Sequence, residues 1–326
     1  MRCANPPLLS NLAMLNTVMS DARRSLADPF ALPDRVKAIG LMCAAVTMFS
    51  CLDATAKHLI VHAHIPTIEV VWARFAAQFL LMAAILGPWT LPSLLKTRRL
   101  DLQITRSVLM VATTACNFLA IGYLRLDQTV SIAFMAPLVV ALLAGPMLGE
   151  YVGWRRGLAI VVGFIGVMIV VRPGFAEVHP AFLASFASML GYAFFMIVTR
   201  KLADVDPPLV TLFYALLLGA VGGVFFAIPH WVWPTDGWQW LALLSLGAFG
   251  GLGHYLLIFA YRYAPASSVS PFLYFQILSM VALGYLVFGD KPDVWSLIGS
   301  AVIIASGVYL VNRERKAGVT LPPPAE

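Results

Sequence analysis

Ten apolar runs, each close to the length of one membrane crossing and separated by short links, fill the sequence from Val36 onward. They lie at Val36–Leu59, Thr67–Gly87, Leu102–Tyr123, Thr129–Leu148, Trp154–Val171, Ala181–Thr199, Leu209–Ile228, Trp238–Tyr261, Ala266–Phe288 and Val294–Val311. At about 1.5 Å of rise per residue, a helix of about twenty residues spans the roughly 30 Å hydrocarbon core of a bilayer. The runs are continuous rather than alternating, which selects helices over the period-two strands of a membrane barrel. Composition removes the soluble alternative: 60% of residues are hydrophobic and only 12% charged, too few to cover a water-facing surface. It also removes disorder, which needs polar, highly charged sequence. The expected fold class is an all-α membrane protein with ten transmembrane helices.

The links carry turn residues, Gly87-Pro88, Arg172-Pro173-Gly174, Asp206-Pro207-Pro208 and Lys291-Pro292, and none could hold a soluble domain. Cationic loops are retained in the cytoplasm. With the N terminus inside, seventeen Lys and Arg fall on the inner side and four on the outer side, Lys57, Arg125, Arg172 and Lys291. Arg74 is left inside a helix. Both termini are therefore expected in the cytoplasm. The net charge of +6 sits between apolar runs, so it points to membrane topology and not to nucleic acid. The first 35 residues, broken by Pro6, Pro7, Pro29 and Pro33, read as a polar tail and make a poor signal peptide. Cys3, Cys43, Cys51 and Cys116 have no metal-ligand spacing, and His58-x-x-x-His62 lacks a third ligand. No metal or cofactor is expected.

An offset of 140 overlays Gly149-Glu150 on Gly289-Asp290, Ala120 on Ala260 and Tyr123 on Tyr263. The repeat unit is then five helices. An odd number forces the second copy to enter the membrane from the opposite face, the inverted arrangement that secondary transporters use for alternating access. The expected organisation is a cytoplasmic tail over 1–35, a first repeat over 36–174, a second over 175–311 and a tail over 312–326.

Several residues carry a family resemblance: Trp72-Ala73-Arg74-Phe75, Tyr123 followed by Asp127–Ser131, Leu148-Gly149-Glu150, Trp154 and the glycine-bearing fifth run closing at Arg172-Pro173-Gly174. In this order and spacing the chain resembles the EamA family of the drug/metabolite transporter superfamily, from Val36 to Val311. The resemblance implies a ten-helix carrier with a central cavity between its halves, moving small metabolites across the bacterial inner membrane. Family members carry amino acids, nucleobase-like compounds, riboflavin and other metabolites. The Trp-Ala-Arg-Phe form is most similar to members labelled riboflavin carriers.

Ionisable groups at bilayer depth cost at least about 2.5–3.5 kcal/mol each and ask for a reason. Asp53 on the first helix and Arg74 on the second lie at similar depths, and the short link between the helices makes them antiparallel neighbours. Two readings stand: Arg74 binds an anionic or carbonyl-bearing substrate while Asp53 carries a coupling proton, or the two form a structural ion pair. Lys57, spaced i,i+4 from Asp53, and Glu69 belong with them nearer the outer edge. Arg106 reads as a snorkelling headgroup contact. Candidate cavity groups are Trp72, Gln78, Asn117, Tyr192, Tyr214, His254, Tyr255, Tyr274 and Gln276, each of which also has a packing explanation. Tyr214 occupies the position equivalent to Arg74, so any site is asymmetric. Gly219–Gly223 and Gly247–Gly251 read as close helix contacts.

No nucleotide-binding P-loop is present, and the membrane acids Asp53 and Glu69 both lie near the outer edge, which disfavours a membrane-embedded catalytic site. A secondary carrier is the leading function, with no catalytic residues. A membrane-embedded enzyme and a scaffold or receptor subunit are the alternatives. The expected partners are a small-molecule substrate and the lipid bilayer, with a homodimer left open and nucleic acid excluded.

Overall fold

The computed structural model describes residues 34–148, 154–172, 179–202, 205–264 and 269–316. These residues form helices and short connections, with no strand among them: α1 (Asp34–Val61), α2 (Thr67–Leu86), α3 (Leu100–Tyr123), α4 (Leu126–Ala133), α5 (Ala136–Leu148), α6 (Trp154–Val171), α7 (Ala181–Leu202), α8 (Pro208–Leu217), α9 (Gly223–Ala227), α10 (Gly237–Tyr263), α11 (Phe275–Phe288) and α12 (Val294–Lys316). Six helical stretches are long and apolar enough to cross a membrane, Val36–Val61, Thr67–Leu86, Leu100–Tyr123, Ala181–Leu202, Pro208–His230 and Gly237–Tyr263. Four shorter apolar stretches accompany them, Leu126–Val140, Gly157–Val171, Phe272–Phe288 and Val294–Tyr309. Large apolar side chains such as Leu80, Ile85, Leu183, Phe225 and Leu286 are exposed on the outside, and Trp89, Trp154, Trp233, Trp238 and Trp295 are exposed near helix ends. That distribution suits a lipid surround with aromatic side chains at its two interfaces. The protein is a multi-pass membrane protein.

Local chemistry sets the ends. Asp236 caps α10 by accepting from the Gln239 amide at 2.8 Å, while the Gln239 side chain accepts from the Thr235 amide at 2.8 Å, so two orphan donors are met at one turn. α11 stops where Gly289 turns left-handed at φ 69°, with the Asp290 amide reaching back to the Gly284 carbonyl at 3.0 Å. α2 stops at Gly87, φ 79°, ahead of Pro88.

The helices pair in a pattern that the repeat offset explains. α1 packs along α10, α3 along α7, and α6 along α12. Adding 140 carries α1 onto α7 and α3 onto α10, so the first two pairs exchange, while α6 and α12 exchange with each other. Glycines permit the closest approaches: a Cβ on Gly166 would stand 2.9 Å from the Gly299 carbonyl, and one on Gly247 would strike the backbone of Ala77 and Gln78.

Three apolar runs are not the single regular helices their sequences suggest. The fourth begins at Leu126 and breaks between α4 and α5, with Pro137 at the second position of α5, where the missing N–H is not needed. The seventh carries a π turn at Leu218–Gly222 between α8 and α9. The indole of Trp72 donates to the Ala220 carbonyl within that turn at 2.8 Å, and Gly219 and Gly223 give room to Phe75 and Trp72. The ninth opens as a 3₁₀ turn over Ser270–Tyr274 before α11. α12 runs on to Lys316, past the expected boundary at 311. Gly149, Glu150, Pro173, Gly174, Ala266 and the N-terminal tail lie outside the described residues.

Candidate polar site between the helices

α1, α2 and α3 bring Asp53, Arg74 and Asn117 together, but not as a direct ion pair. Asp53 Oδ1 accepts from Asn117 Nδ2 at 3.1 Å, and Arg74 Nη1 donates to Thr114 Oγ1 at 2.8 Å. Thr114 and Asn117 are one turn apart on α3, so this helix holds the two charges side by side, interacting through space. No carboxylate lies within 4 Å of the Arg74 guanidinium among the described residues, so the direct ion pair, one of the two readings, is not formed here.

Arg74 is 7% exposed, and its plane lies near the Phe75 ring at 4.7 Å. Its Nε is buried without a partner. The Nε–Nη2 edge, the fork that matches a carboxylate or an imide, is therefore not used by a protein acceptor among the described residues. One turn along α2, Gln78 is also buried and its Oε1 has no partner. It sits against α10: a Cβ on Gly250 would lie 3.0 Å from this oxygen and 3.2 Å from Leu52. His254, one turn further along α10, meets Phe49 edge-on at 5.0 Å. An unpaired donor on Arg74, an unpaired acceptor on Gln78 and the Asp53 carboxylate thus share the space where α1, α2, α3 and α10 meet. Buried polar atoms without partners are rare, because each costs about 1–3 kcal/mol.

The remaining candidates fall elsewhere. Lys57 does not partner Asp53: its Nζ bonds Asp290 Oδ2 at 3.1 Å and the Leu124 carbonyl at 3.2 Å. Glu69 is fully buried and accepts from the Val232 amide at 2.9 Å, pinning the link between α9 and α10. Trp72 clamps the π turn and meets Trp231 edge-on at 5.5 Å. Tyr214 turns away from Arg74's surroundings and donates to the Leu95 carbonyl at 2.7 Å. Tyr274 packs on Phe134 at 4.8 Å with its hydroxyl against Gly307. Gln276 is half-buried on α11, and Tyr255 is 56% exposed. Tyr192 is half-exposed on α7, stacked on Phe195 at 5.6 Å.

Arg106 corrects a second expectation. It does not reach for headgroups; it is buried, donating from Nε to Thr199 Oγ1 at 2.8 Å and from Nη1 to the Thr211 carbonyl at 3.1 Å, over the Phe195 ring at 4.4 Å. Thr114 was not expected either. Its spacing of three from Asn117 was the available signal, and the repeat offset makes it the counterpart of His254.

The chain matches the EamA-like transporter family twice, over residues 36–172 and 179–313. It belongs to that family. Among curated relatives it is similar to a riboflavin transporter of Vibrio cholerae, 26% identical over 276 residues, which is 84% of this chain and 93% of the relative. It is equally similar to an S-adenosylmethionine uptake transporter of Rickettsia bellii, 26% identical over 279 residues, 86% and 94% of the two chains. A pseudopaline exporter, CntI, of Pseudomonas aeruginosa is 23% identical over 269 residues, 82% and 93% of the two. One solved crystal structure superposes with a TM-score of 0.56 at 19% identity, covering 86% of this chain and 99% of that one; this likeness concerns the fold. Members of an EamA-like transporter family are embedded in the membrane and handle small molecules, and this chain is a membrane transporter of that kind.

Proposed function

We propose that the protein is a secondary-active carrier, not an enzyme, that moves a small polar or aromatic metabolite across the inner membrane by alternating access. In this reading the six long and four shorter apolar helical stretches make ten crossings, with both termini cytoplasmic. Residues 36–174 and 175–311 act as inverted repeats that rock about a cavity between them. The pairing of α1 with α10 and of α3 with α7, which the 140-residue offset interchanges, supports that arrangement.

One observation carries the substrate side of the reading: the buried, unpaired Nε of Arg74 beside the buried, unpaired Oε1 of Gln78. A donor fork and an acceptor one turn apart complement a group that offers an acceptor edge next to an N–H, such as an imide, or a carboxylate with a neighbouring donor. Asp53, steadied by Asn117, supplies a negative charge for a coupling proton or for the substrate's own donor. His254 lies on the inner side of the same space. The relatives named above act on riboflavin, S-adenosylmethionine and pseudopaline. The first has an imide edge and the other two have carboxylates, so Arg74 suits each.

A thermal-shift screen of the purified protein against a metabolite panel tests this reading, since a ligand that binds the native state raises its stability. The screen should return at least one acceptor-bearing compound whose stabilisation disappears in Arg74→Gln. A screen in which every hit keeps its full effect in that variant would contradict it.

A further inference from the structure

We propose that Arg106 and Tyr192 form a second binding station on the cytoplasmic side of the cavity, built for an aromatic carboxylate. Arg106 is a cation without a counter-ion among the described residues. Arg106 lies six residues into α3, about 9 Å from its inner end, and is 9% exposed. Its Nε and Nη1 are fixed by Thr199 on α7 and by the Thr211 carbonyl on α8, and Phe195 lies beneath its plane. Nothing among the described residues accepts from Nη2, and no carboxylate stands within 4 Å of the guanidinium.

Asp206 is the acid in this neighbourhood, and it is spent. Its Oδ2 accepts from Thr97 and from Gln103 Nε2 at 2.9 Å, and its Oδ1 accepts from the Arg98 amide at 3.2 Å. A buried charge without a partner is costly, and packing does not require one here, because the position equivalent to 106 in the second half is Leu246. The guanidinium is held rigidly with one nitrogen free, as it would be to receive a ligand's negative charge.

Tyr192 gives the ligand's shape. It lies at the middle of α7, yet 45% of its surface is exposed. Its ring stacks on Phe195, the ring that supports Arg106, and it interacts through space with Arg106 and with Tyr261 of α10. Its open surface therefore borders the space between α3, α7 and α10. In this station a flat apolar body rests on Tyr192 and directs its carboxylate to Arg106 Nη2. A single guanidinium with one nitrogen open matches a singly charged carboxylate better than a phosphate dianion. This station is separate from Arg74, whose partner Thr114 lies eight residues further along α3, about 12 Å away.

The role in transport rests on the carrier reading; the binding does not. Full-length protein in dodecyl maltoside, free of phospholipid, is titrated with benzoate and, as the uncharged counterpart, benzamide, at constant sodium chloride. Benzoate at saturating concentration should raise the melting temperature by about 2 °C or more while benzamide does not. Arg106→Gln should abolish the benzoate shift, and Arg74→Gln should leave it. Tyr192→Leu should weaken benzoate about tenfold without changing the melting temperature of the ligand-free protein. If Arg106→Gln does not fold, Arg106→Lys and Tyr192→Leu decide the matter by the same weakening. Equal shifts with benzamide, no shift in the wild type, or a shift that follows Arg74 instead of Arg106 would overturn the station. So would an Arg106-dependent shift with phosphatidylglycerol alone, which would assign the guanidinium to a lipid headgroup. Arg106-dependent benzoate binding in a protein that transports nothing would remove the carrier reading and leave the station standing.

Discussion

The rings of Phe134 and Tyr274 touch, with 4.8 Å between their centroids, and the two residues stand 140 positions apart, the offset that carries α1 onto α7 and α6 onto α12. Each marks the break in its own apolar run: Phe134 follows α4, and Tyr274 closes the 3₁₀ turn ahead of α11. Equivalent positions that meet each other lie where the two halves come face to face. Tyr274 is held there by Gly307, whose place leaves no room for a Cβ beside the tyrosine hydroxyl. Gly307→Ala should lower stability by about 1–3 kcal/mol through overpacking. Adding Tyr274→Phe, which removes the hydroxyl, should restore part of the loss. Thermal unfolding of the three variants in detergent checks this; an undisturbed Gly307→Ala protein would contradict the packing.

Seventeen inner cations against four outer ones set the expected topology. Reporter fusions after Pro173 and after His230 should report the periplasm, and a fusion after Lys201 the cytoplasm. A cytoplasmic signal at Pro173 would contradict the ten-crossing arrangement.

Lys57 and Asp290 join the C-terminal end of α1 to the turn between α11 and α12, with 3.1 Å between Nζ and Oδ2. The lysine side chain is 10% exposed, which separates this pair from ordinary surface bridges. Lys57→Met and Asp290→Asn should each destabilise, and the double variant should destabilise by less than the sum of the two, with a coupling of about 1 kcal/mol or more in a double-mutant cycle. Strict additivity would show that the pair contributes nothing beyond its members.

Asp206 ties the link before α8 to the link before α3. Burial alone would raise its pKa, but hydrogen bonds from Thr97 and Gln103, the Arg98 amide and the Arg98 charge outweigh it and hold the carboxyl below its ordinary value of 3.8. A carboxyl depressed on folding stabilises the folded state above the ordinary carboxylate pKa, and the contribution is lost as pH falls through the folded value. Asp206→Asn should therefore lower the melting temperature at pH 7, and the gap to the wild type should narrow as the buffer is taken below pH 3.8. A pH-independent gap would contradict the account.

Apolar periodicity located the helices because run length is set by bilayer thickness, and the glycines at 219, 223 and 247 sit at the close contacts their spacing suggests. The breaks were not legible. The π turn in the seventh run depends on an indole from another helix, and nothing local to Leu218–Gly222 announces it. Site residues divided the same way. Depth along a helix was enough to bring Asp53 and Arg74 into one region, because antiparallel neighbours align by depth. It was not enough for Arg106, since distance from a helix end says nothing of whether a side chain points outward to headgroups or inward to Thr199 and Thr211. Tyr214 shows the limit of repeat equivalence: the offset relates its backbone to that of Arg74, but its hydroxyl finds the Leu95 carbonyl of a link that has its own sequence.

The central claim is that Arg74 recognises the substrate through its unpaired guanidinium edge. Lysine at this position keeps the positive charge and loses the planar fork. Counterflow of a panel hit into proteoliposomes, measured for the wild type and for Arg74→Lys reconstituted at equal density, is the most direct test. Arg74→Lys should fold, insert and transport more slowly than the wild type at limiting substrate, by about tenfold or more. Transport by Arg74→Lys with unchanged affinity and rate would contradict it and make Arg74 a structural residue.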